Sequence, residues 1–358
     1  MKKVYILATG GTISAAGCEG KTTGYHDGKF ELKDLLARVK GAEKLAKLEG
    51  EQVLNISSDD ITWGDWLSLA GKIEKLSLRS DMDGFVVTHG TNTLEETAYF
   101  LNLVLKTEKP VVLTGSMRPA TANSADGPQN LYEAIALAAS EEAKGKGVLA
   151  AFSDLILSAD RIQKVNCFRT DAFSGRDFGC IGYMQDSVPK FLQYPVENHT
   201  THTRFTTEAL KRIPRVEIAY FSADADPEIL EFYGKTAEGL VIAGAGSGLF
   251  SKPWKEKIRG IAREIPVVRS SRVGNGMVSQ DHCDEELGTI PGGTLTPVKA
   301  RILLTLALAM GQDRVKLGKY LNSIRLICQN EGGDVWRRNW NFMGENGFLC
   351  HRLLFLSV

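Results

Sequence analysis

The feature that most constrains this chain is a recurring rhythm: a short β-branched or aliphatic run, a glycine-bearing turn, then residues at helical spacing. It occurs at residues 4–8, 84–88, 110–114 and 147–152, and again at 216–221, 240–243 and 266–269. Strands this apolar need cover on both faces, which a parallel sheet between layers of helices supplies. The sequence therefore predicts α/β layering around a largely parallel sheet. In such sheets ligands collect at the carboxyl ends of the strands, where the turns lie.

Two of those turns carry hydroxyls, Ala8-Thr9-Gly10-Gly11-Thr12-Ile13 and Thr88-His89-Gly90-Thr91-Asn92-Thr93. Glycines let backbone N–H groups approach a ligand closely, and a threonine at the sheet edge is a candidate nucleophile. Taken alone, Gly-Gly-Thr also describes an ordinary tight turn. The second turn strengthens the reading because it repeats the arrangement on another strand and leads into a helix. Thr93-Leu94-Glu95-Glu96 reads as a capping box, with Leu94, Ala98, Leu101 and Leu105 following on one face. The N–H groups of that helix start would bind a carboxylate, while Thr91 would hold or activate a water. A second start reads from Asp126-Gly127-Pro128, a cap and a first-turn proline ahead of Leu131, Ile135 and Ala138.

Composition removes several classes of function. Lysine plus arginine equals aspartate plus glutamate at 43 each, so no net field recommends nucleic acid or an anionic membrane as partner. A small zwitterionic substrate suits a neutral chain. The longest apolar run, 302–310, is interrupted by Thr305 and falls well short of the ~18 residues of a membrane span. Met1-Lys2-Lys3 is followed by too few apolar residues for a signal-peptide core, so a cytoplasmic location is expected. The six cysteines form no Cys-x-x-Cys pair and read as free thiols, and His199 and His202 lack acidic or cysteine companions, so no metal is expected.

With 358 residues the chain has room for two domains, each with its own core. Residues 1–193 read as an N-terminal catalytic α/β domain, 194–214 as a linker, 215–326 as a smaller C-terminal α/β domain and 327–358 as an atypical tail. The tail's Trp336-Arg337-Arg338-Asn339-Trp340 has the composition that stacks on nucleic acid, but on a neutral chain it reads as an appendage. Gly244-Ala245-Gly246-Ser247-Gly248 opens like a dinucleotide fingerprint. Leu249 then stands where the last glycine belongs, and no acidic residue is suitably placed about 20 residues on. A nucleotide-dependent enzyme is disfavoured accordingly.

The two threonine turns, together with Ser124-Ala125-Asp126-Gly127-Pro128-Gln129-Asn130-Leu131, resemble the signature blocks of bacterial L-asparaginases, most closely the type II, glutaminase-asparaginase branch. Further matches at Gly50-Glu51-Gln52-Val53, Lys109-Pro110-Val111-Val112, Val268-Arg269-Ser270-Ser271-Arg272-Val273 and residues 293–301 extend the resemblance from residue 3 to about 324. It implies a two-domain asparaginase-like fold that hydrolyses asparagine, with glutamine as a second substrate, through a threonyl ester and without cofactor or metal. It also implies a homotetramer with active sites at a dimer interface. Carried over residue by residue, the resemblance makes Thr12 the nucleophile, with Tyr25 on a mobile flap helping to activate it. Lys164 would act with Thr91 on the water that releases aspartate. Ser58 would hold the substrate α-carboxylate, and Gly11, Gly90, Ser116 and Ser247 would line the substrate.

One departure stands inside the second block. The family reads His-Gly-Thr-Asp-Thr there, with the aspartate binding the substrate ammonium and supporting the lysine, whereas this chain has Asn92. A charge-assisted bond, roughly twice as strong as a neutral one, is lost. Asp59, at a position often held by glutamine, is the candidate to supply the missing charge. Ser247 replaces a frequent asparagine, and the acidic residue of the neighbouring subunit has no clear counterpart. Asn92 also supports an alternative, a catalytically weakened amino-acid-binding relative.

Overall fold

The computed structural model describes residues 1–26 and 28–311. The chain runs β1 Lys3–Gly10, α1 Leu32–Ala37, α2 Ala42–Leu45, β2 Lys47–Ile56, α3 Trp63–Ser77, β3 Gly84–Thr88, α4 Leu94–Val104, β4 Val111–Thr114, α5 Gly127–Ala138 and β5 Val148–Phe152. Short strands follow: β6 Leu155–Ser158, β7 Gln163–Lys164, β8 Phe173–Ser174, β9 Gly182–Gln185 and β10 Val188–Phe191. The last third holds β11 Val216–Tyr220, α6 Glu228–Thr236, β12 Gly239–Gly244, α7 Lys252–Glu264, β13 Val267–Ser271, α8 His282–Leu287, β14 Ile290–Pro291 and α9 Pro297–Ala309.

Two main sheets result. The larger has the order β10-β9-β6-β5-β4-β3-β1-β2, parallel from β2 through β5 and antiparallel beyond. The smaller, β11-β12-β13-β14, is parallel throughout. Strand side chains alternate between the two faces of the larger sheet. Leu7, Phe85, Val87, Leu113 and Ala150 pack under α3 and α4, whereas Val4, Ile6, Val86, Val112 and Leu149 pack under α1, α2 and α5. This double burial is why the parallel strands read as unbroken apolar runs.

Each sheet has an apolar cluster of its own on its outer face, and a third joins the two. One apolar cluster runs from the larger sheet through α3 and α4 into α9, and on to Val216, Val241, Val268 and Ile290 of the smaller sheet. Helix α9 joins the two layers, packing on β11 to β13 and on α4, because most of it is apolar; its Ile302, Leu303, Leu304, Leu306 and Ala307 are all buried. A further cluster, with Leu230, Trp254, Ile258 and Leu287, covers the other face of the smaller sheet. The segment expected to be a linker is packed as well. Phe205 and Leu210 are buried in the shared core, and Lys106 Nζ donates to the carbonyls of Thr200 and Thr203, both at 2.9 Å.

No described helix is long and apolar enough to cross a membrane. Cys18, Cys167, Cys180 and Cys283 are free thiols, whereas Cys328, Cys350 and the whole of the 327–358 tail lie outside the described residues.

Candidate active site

Strand order fixes where a site can form. From β1 the chain moves to β2 on one side and returns to β3 on the other, so the connections diverge at the carboxyl ends of β1 and β3. This is the switch point at which open α/β sheets bind ligands. Ala8 is level with Gln52 on β2 and with Thr88 on β3, and Thr88 with Thr114 on β4, so the turns after these strands share one edge.

Those turns are in backbone contact. A Cβ on Gly11 would stand 2.2 Å from Gly90 Cα, one on Gly90 would stand 2.7 Å from Ser58 Oγ, and one on Gly115 would stand 2.4 Å from the His89 carbonyl oxygen. No methyl fits at any of the three. Gly11 also has a φ of +80°, a conformation that side chains resist. The contact is stitched by Gly11 N–H donating to Ile56 O at 3.0 Å and His89 N–H donating to Thr114 O at 2.8 Å.

His89 lies wholly inside, beneath this edge. Trp66 Nε1 donates to Thr97 Oγ1 at 2.8 Å, so the Thr97 hydroxyl has its own hydrogen free to give to His89 Nε2 at 2.9 Å. The ring proton then sits on Nδ1 and bonds the Gly90 carbonyl at 2.7 Å. Burial pushes the His89 pKa down to about 4, which keeps the ring neutral and this pattern intact. The histidine holds the Gly90 peptide in place and leaves Thr91 at the edge.

Two hydroxyl sets meet there. Thr12 opens a single turn of 3-10 helix, and its Oγ1 lies 3.2 Å from Tyr25 Oη. Tyr25 arrives on the 15–28 loop, whose Ala16 and His26 are bridged, with Gly17 close against its Cβ. In the second set Lys164 Nζ donates to Thr91 Oγ1 at 2.9 Å and to Asn92 Oδ1 at 2.6 Å. The Asn92 amide nitrogen turns the other way and donates to both Asp59 oxygens, at 3.0 and 3.2 Å. Asn92 thus stands between lysine and carboxylate. Burial lowers the Lys164 pKa, opposed by the negative charges of Asp59, Cys167 and Glu95. A lysine whose neutral form is made accessible in this way can take a proton.

Ser58 is buried beside Gly90, and its carbonyl accepts the Thr93 hydroxyl at 2.8 Å. That bond overturns the capping box read at Thr93, whose side chain caps no helix N–H. The hydroxyl is drawn instead to a carbonyl 35 residues away, where it ties the Ser58 turn to the start of α4. Asp126 likewise does not cap α5, although Pro128 occupies the helix's first turn. Its carboxylate accepts from the N–H groups of Met117 and Arg118 at 2.9 and 3.0 Å, shaping the turn after β4.

Two expected residues lie apart from these sets. Ser116 is buried beside Ile13 and Gly127, with its hydroxyl donated to Arg118 O at 2.8 Å. Ser247 is exposed in the turn after β12, its carbonyl accepting Arg269 Nη1 at 2.7 Å, in a cleft with Arg176, Val273 and Met277. Sequence reasoning passes over Glu95, whose Oε2 accepts the Lys164 main-chain N–H at 3.0 Å, because the capping motif seemed to account for it. It also passes over Lys299, a fully buried cation in a largely apolar helix. Among the described residues no group of three His, Cys, Asp or Glu is arranged to hold a metal ion.

Comparison with known proteins gives a consistent result. Residues 3–197 match the family described as "Asparaginase, N-terminal", and residues 215–321 match "Glutaminase/Asparaginase C-terminal domain". L-asparaginase 2 of Bacillus subtilis is 41% identical over 90% of this chain and 86% of its own. A probable periplasmic L-asparaginase of Haemophilus influenzae is 39% identical over 89% of this chain and 92% of its own. Among solved structures, the probable cytoplasmic L-asparaginase of Campylobacter jejuni has 42% identity and a TM-score of 0.86, covering 90% of this chain and 99% of that one.

Proposed function

Because the chain belongs to the asparaginase family across both of its sheets, we propose that it hydrolyses L-asparagine to L-aspartate and ammonia, with L-glutamine as a second substrate. The observation that carries this reading is the pairing of two hydroxyl sets, Thr12–Tyr25 and Thr91–Lys164, on turns whose backbones touch. A substrate amide lying across the Gly11–Gly90 contact meets both.

Thr12 Oγ1 attacks the amide carbon, giving its proton to the Tyr25 phenol oxygen as the phenol passes its own hydrogen to the amide nitrogen. The nitrogen departs as ammonia, which leaves an ester between Thr12 and the aspartyl side chain. A water held by Thr91 then attacks the ester carbon while the Lys164 amine takes its proton. The ester C–O bond breaks, Thr12 regains its hydrogen and aspartate is released. Backbone N–H groups at the start of the Thr12 turn have no acceptor within that turn, and they suit the oxyanion formed in each step. Ser58 and the N–H groups around Gly90 suit the substrate α-carboxylate, and Asp59 its ammonium. Ser247 and Ser116 belong to the outer wall, Ser247 toward a neighbouring subunit of a homotetramer. No cofactor takes part in this chemistry, and the cytoplasm is the compartment we assign.

Coupled assays of ammonia release from asparagine and glutamine test the activity, and fractionation and light scattering test the compartment and the assembly. Loss of ammonia release in Thr12→Ala is the expected result. Wild-type protein that binds aspartate yet releases no ammonia would establish the alternative, a binding relative weakened by Asn92. Asp59→Asn should weaken aspartate affinity, and unchanged affinity would remove Asp59 from the ammonium site.

A further inference from the structure

Lys299 is the most completely buried cation among the described residues, with no exposed surface at all. It projects from α9, a helix of the smaller sheet's layer, into the larger domain. There its Nζ donates to the carbonyls of Asp160 at 3.1 Å and Ile162 at 2.5 Å. Those carbonyls belong to a tight turn in which Arg161 and Ile162 N–H both donate to Ser158 O, at 3.1 and 2.9 Å. Two residues after Ile162 comes Lys164.

A second hold reaches Lys164 from the opposite side. Glu95 accepts the Lys164 main-chain N–H at 3.0 Å, and it stands in the first turn of α4, directly after Thr91 and Asn92. Its carboxylate is among the negative groups that attract Lys299, with Asp160 and Glu96, while Arg176 opposes them. Burying a cation this completely is costly unless it is bonded and compensated, and here both conditions are met. Burial lowers its pKa to about 8 despite that compensation.

We infer that Lys299 is a positioning residue for the hydrolytic step: from the C-terminal half of the chain it fixes the 158–162 turn and compensates Glu95, so that Lys164 Nζ is held on the Thr91 hydroxyl. The inference rests on the role given to Lys164 under the proposed function. It also supplies a way for the smaller sheet to act on chemistry at the larger one within a single chain.

The test compares Lys299→Met, the double variant Lys299→Met with Glu95→Gln, and Lys164→Met. In the double variant Glu95 is no longer left as an uncompensated charge, and the introduced glutamine amide keeps an oxygen for the Lys164 N–H, so folding can be maintained if the single variant fails. The expected result with L-asparagine is a kcat at least tenfold lower and a KM within twofold of wild type. Rapid mixing should show a burst of about one ammonia per site running ahead of aspartate, because the ester forms normally and only its hydrolysis slows. A residue with a purely structural role would lower both steps together and give no burst. A folded double variant with wild-type kcat and no burst overturns the inference. If Lys164→Met itself keeps wild-type kcat, the role of Lys164 has failed first, and the two failures are told apart.

Discussion

The two halves of the site are built differently. Thr12 is held through a single hydroxyl contact, to Tyr25 on a half-exposed loop that is tied by the Ala16–His26 bridge and by Gly17 and Gly20 N–H groups donating to Thr121. Thr91 sits over a buried scaffold in which His89, Thr97 and Trp66 fix the turn, and in which Glu95 and Lys299 fix the lysine that reaches its hydroxyl. A group that must admit substrate can be covered by something that moves. A group that must aim a water needs a frame that does not, since a misplacement of about 1 Å costs ~10²-fold in rate. The comparison predicts that damage to the first half stops chemistry at its start, whereas damage to the second stops it halfway.

The largest effect belongs to the nucleophile. Thr12→Ala should lose at least ~10³-fold in kcat, with no first turnover in a burst assay and with aspartate binding retained by calorimetry. Thr91→Val should lose about 10²–10³-fold but still release the first ammonia. If both variants behaved alike in the burst assay, the division between the halves would fall.

The buried frame also makes a prediction about pH. His89 has a folded pKa of about 4 against an ordinary 6.5, so between those values the unfolded state binds the extra proton. Stability due to its neutral form is therefore present above pH 6.5 and lost as pH falls toward 4, a change on the order of 3 kcal/mol. Glu96, pushed up to about 7 by burial and the charge of Glu95, acts in the opposite sense between 4.5 and 7. The quantity to read is thus the difference between wild type and His89→Gln in urea unfolding at pH 7 and pH 4.5. The variant should be less stable at pH 7 and should lose less on acidification.

The smallest effect sharpens the comparison at its most unusual residue. Asn92→Asp places a carboxylate against Lys164, which favours the ammonium form. The acid limb of the kcat–pH profile should move upward by about one unit or less, with kcat at its plateau changed by less than about tenfold. A downward move would mean that Lys164 is not the base.

The parallel strands were legible because burial on both faces leaves its mark in every residue. Strand β2 was not, because it lies at the sheet edge and carries Lys47, Glu49 and Glu51. Its charges are matched by Lys3, Lys72 and Arg79 rather than by an apolar pattern. The antiparallel strands β6 to β10 are two to four residues each, too short for a period to show. The threonine turns could be found because glycine and hydroxyl residues adjoin in sequence. Thr93, Asp126 and Lys299 could not, since the partner that decides each role lies outside its own helix. The Asn92–Asp59 bond was half legible: sequence brought forward Asp59 as a charge donor, while only the fold shows the amide standing between it and Lys164.

Helix α9 gives the chain an all-or-none character. Its apolar surface is shared between the smaller sheet and α4, which covers the larger one, so the smaller layer cannot open without uncovering α4. The protein should melt in one transition rather than two, and a gene cut between residues 197 and 215 should yield halves that stay insoluble apart. Duplication or exchange of either half between relatives then succeeds only when the helix and both surfaces it meets travel together, which makes the pair of sheets the unit on which selection acts.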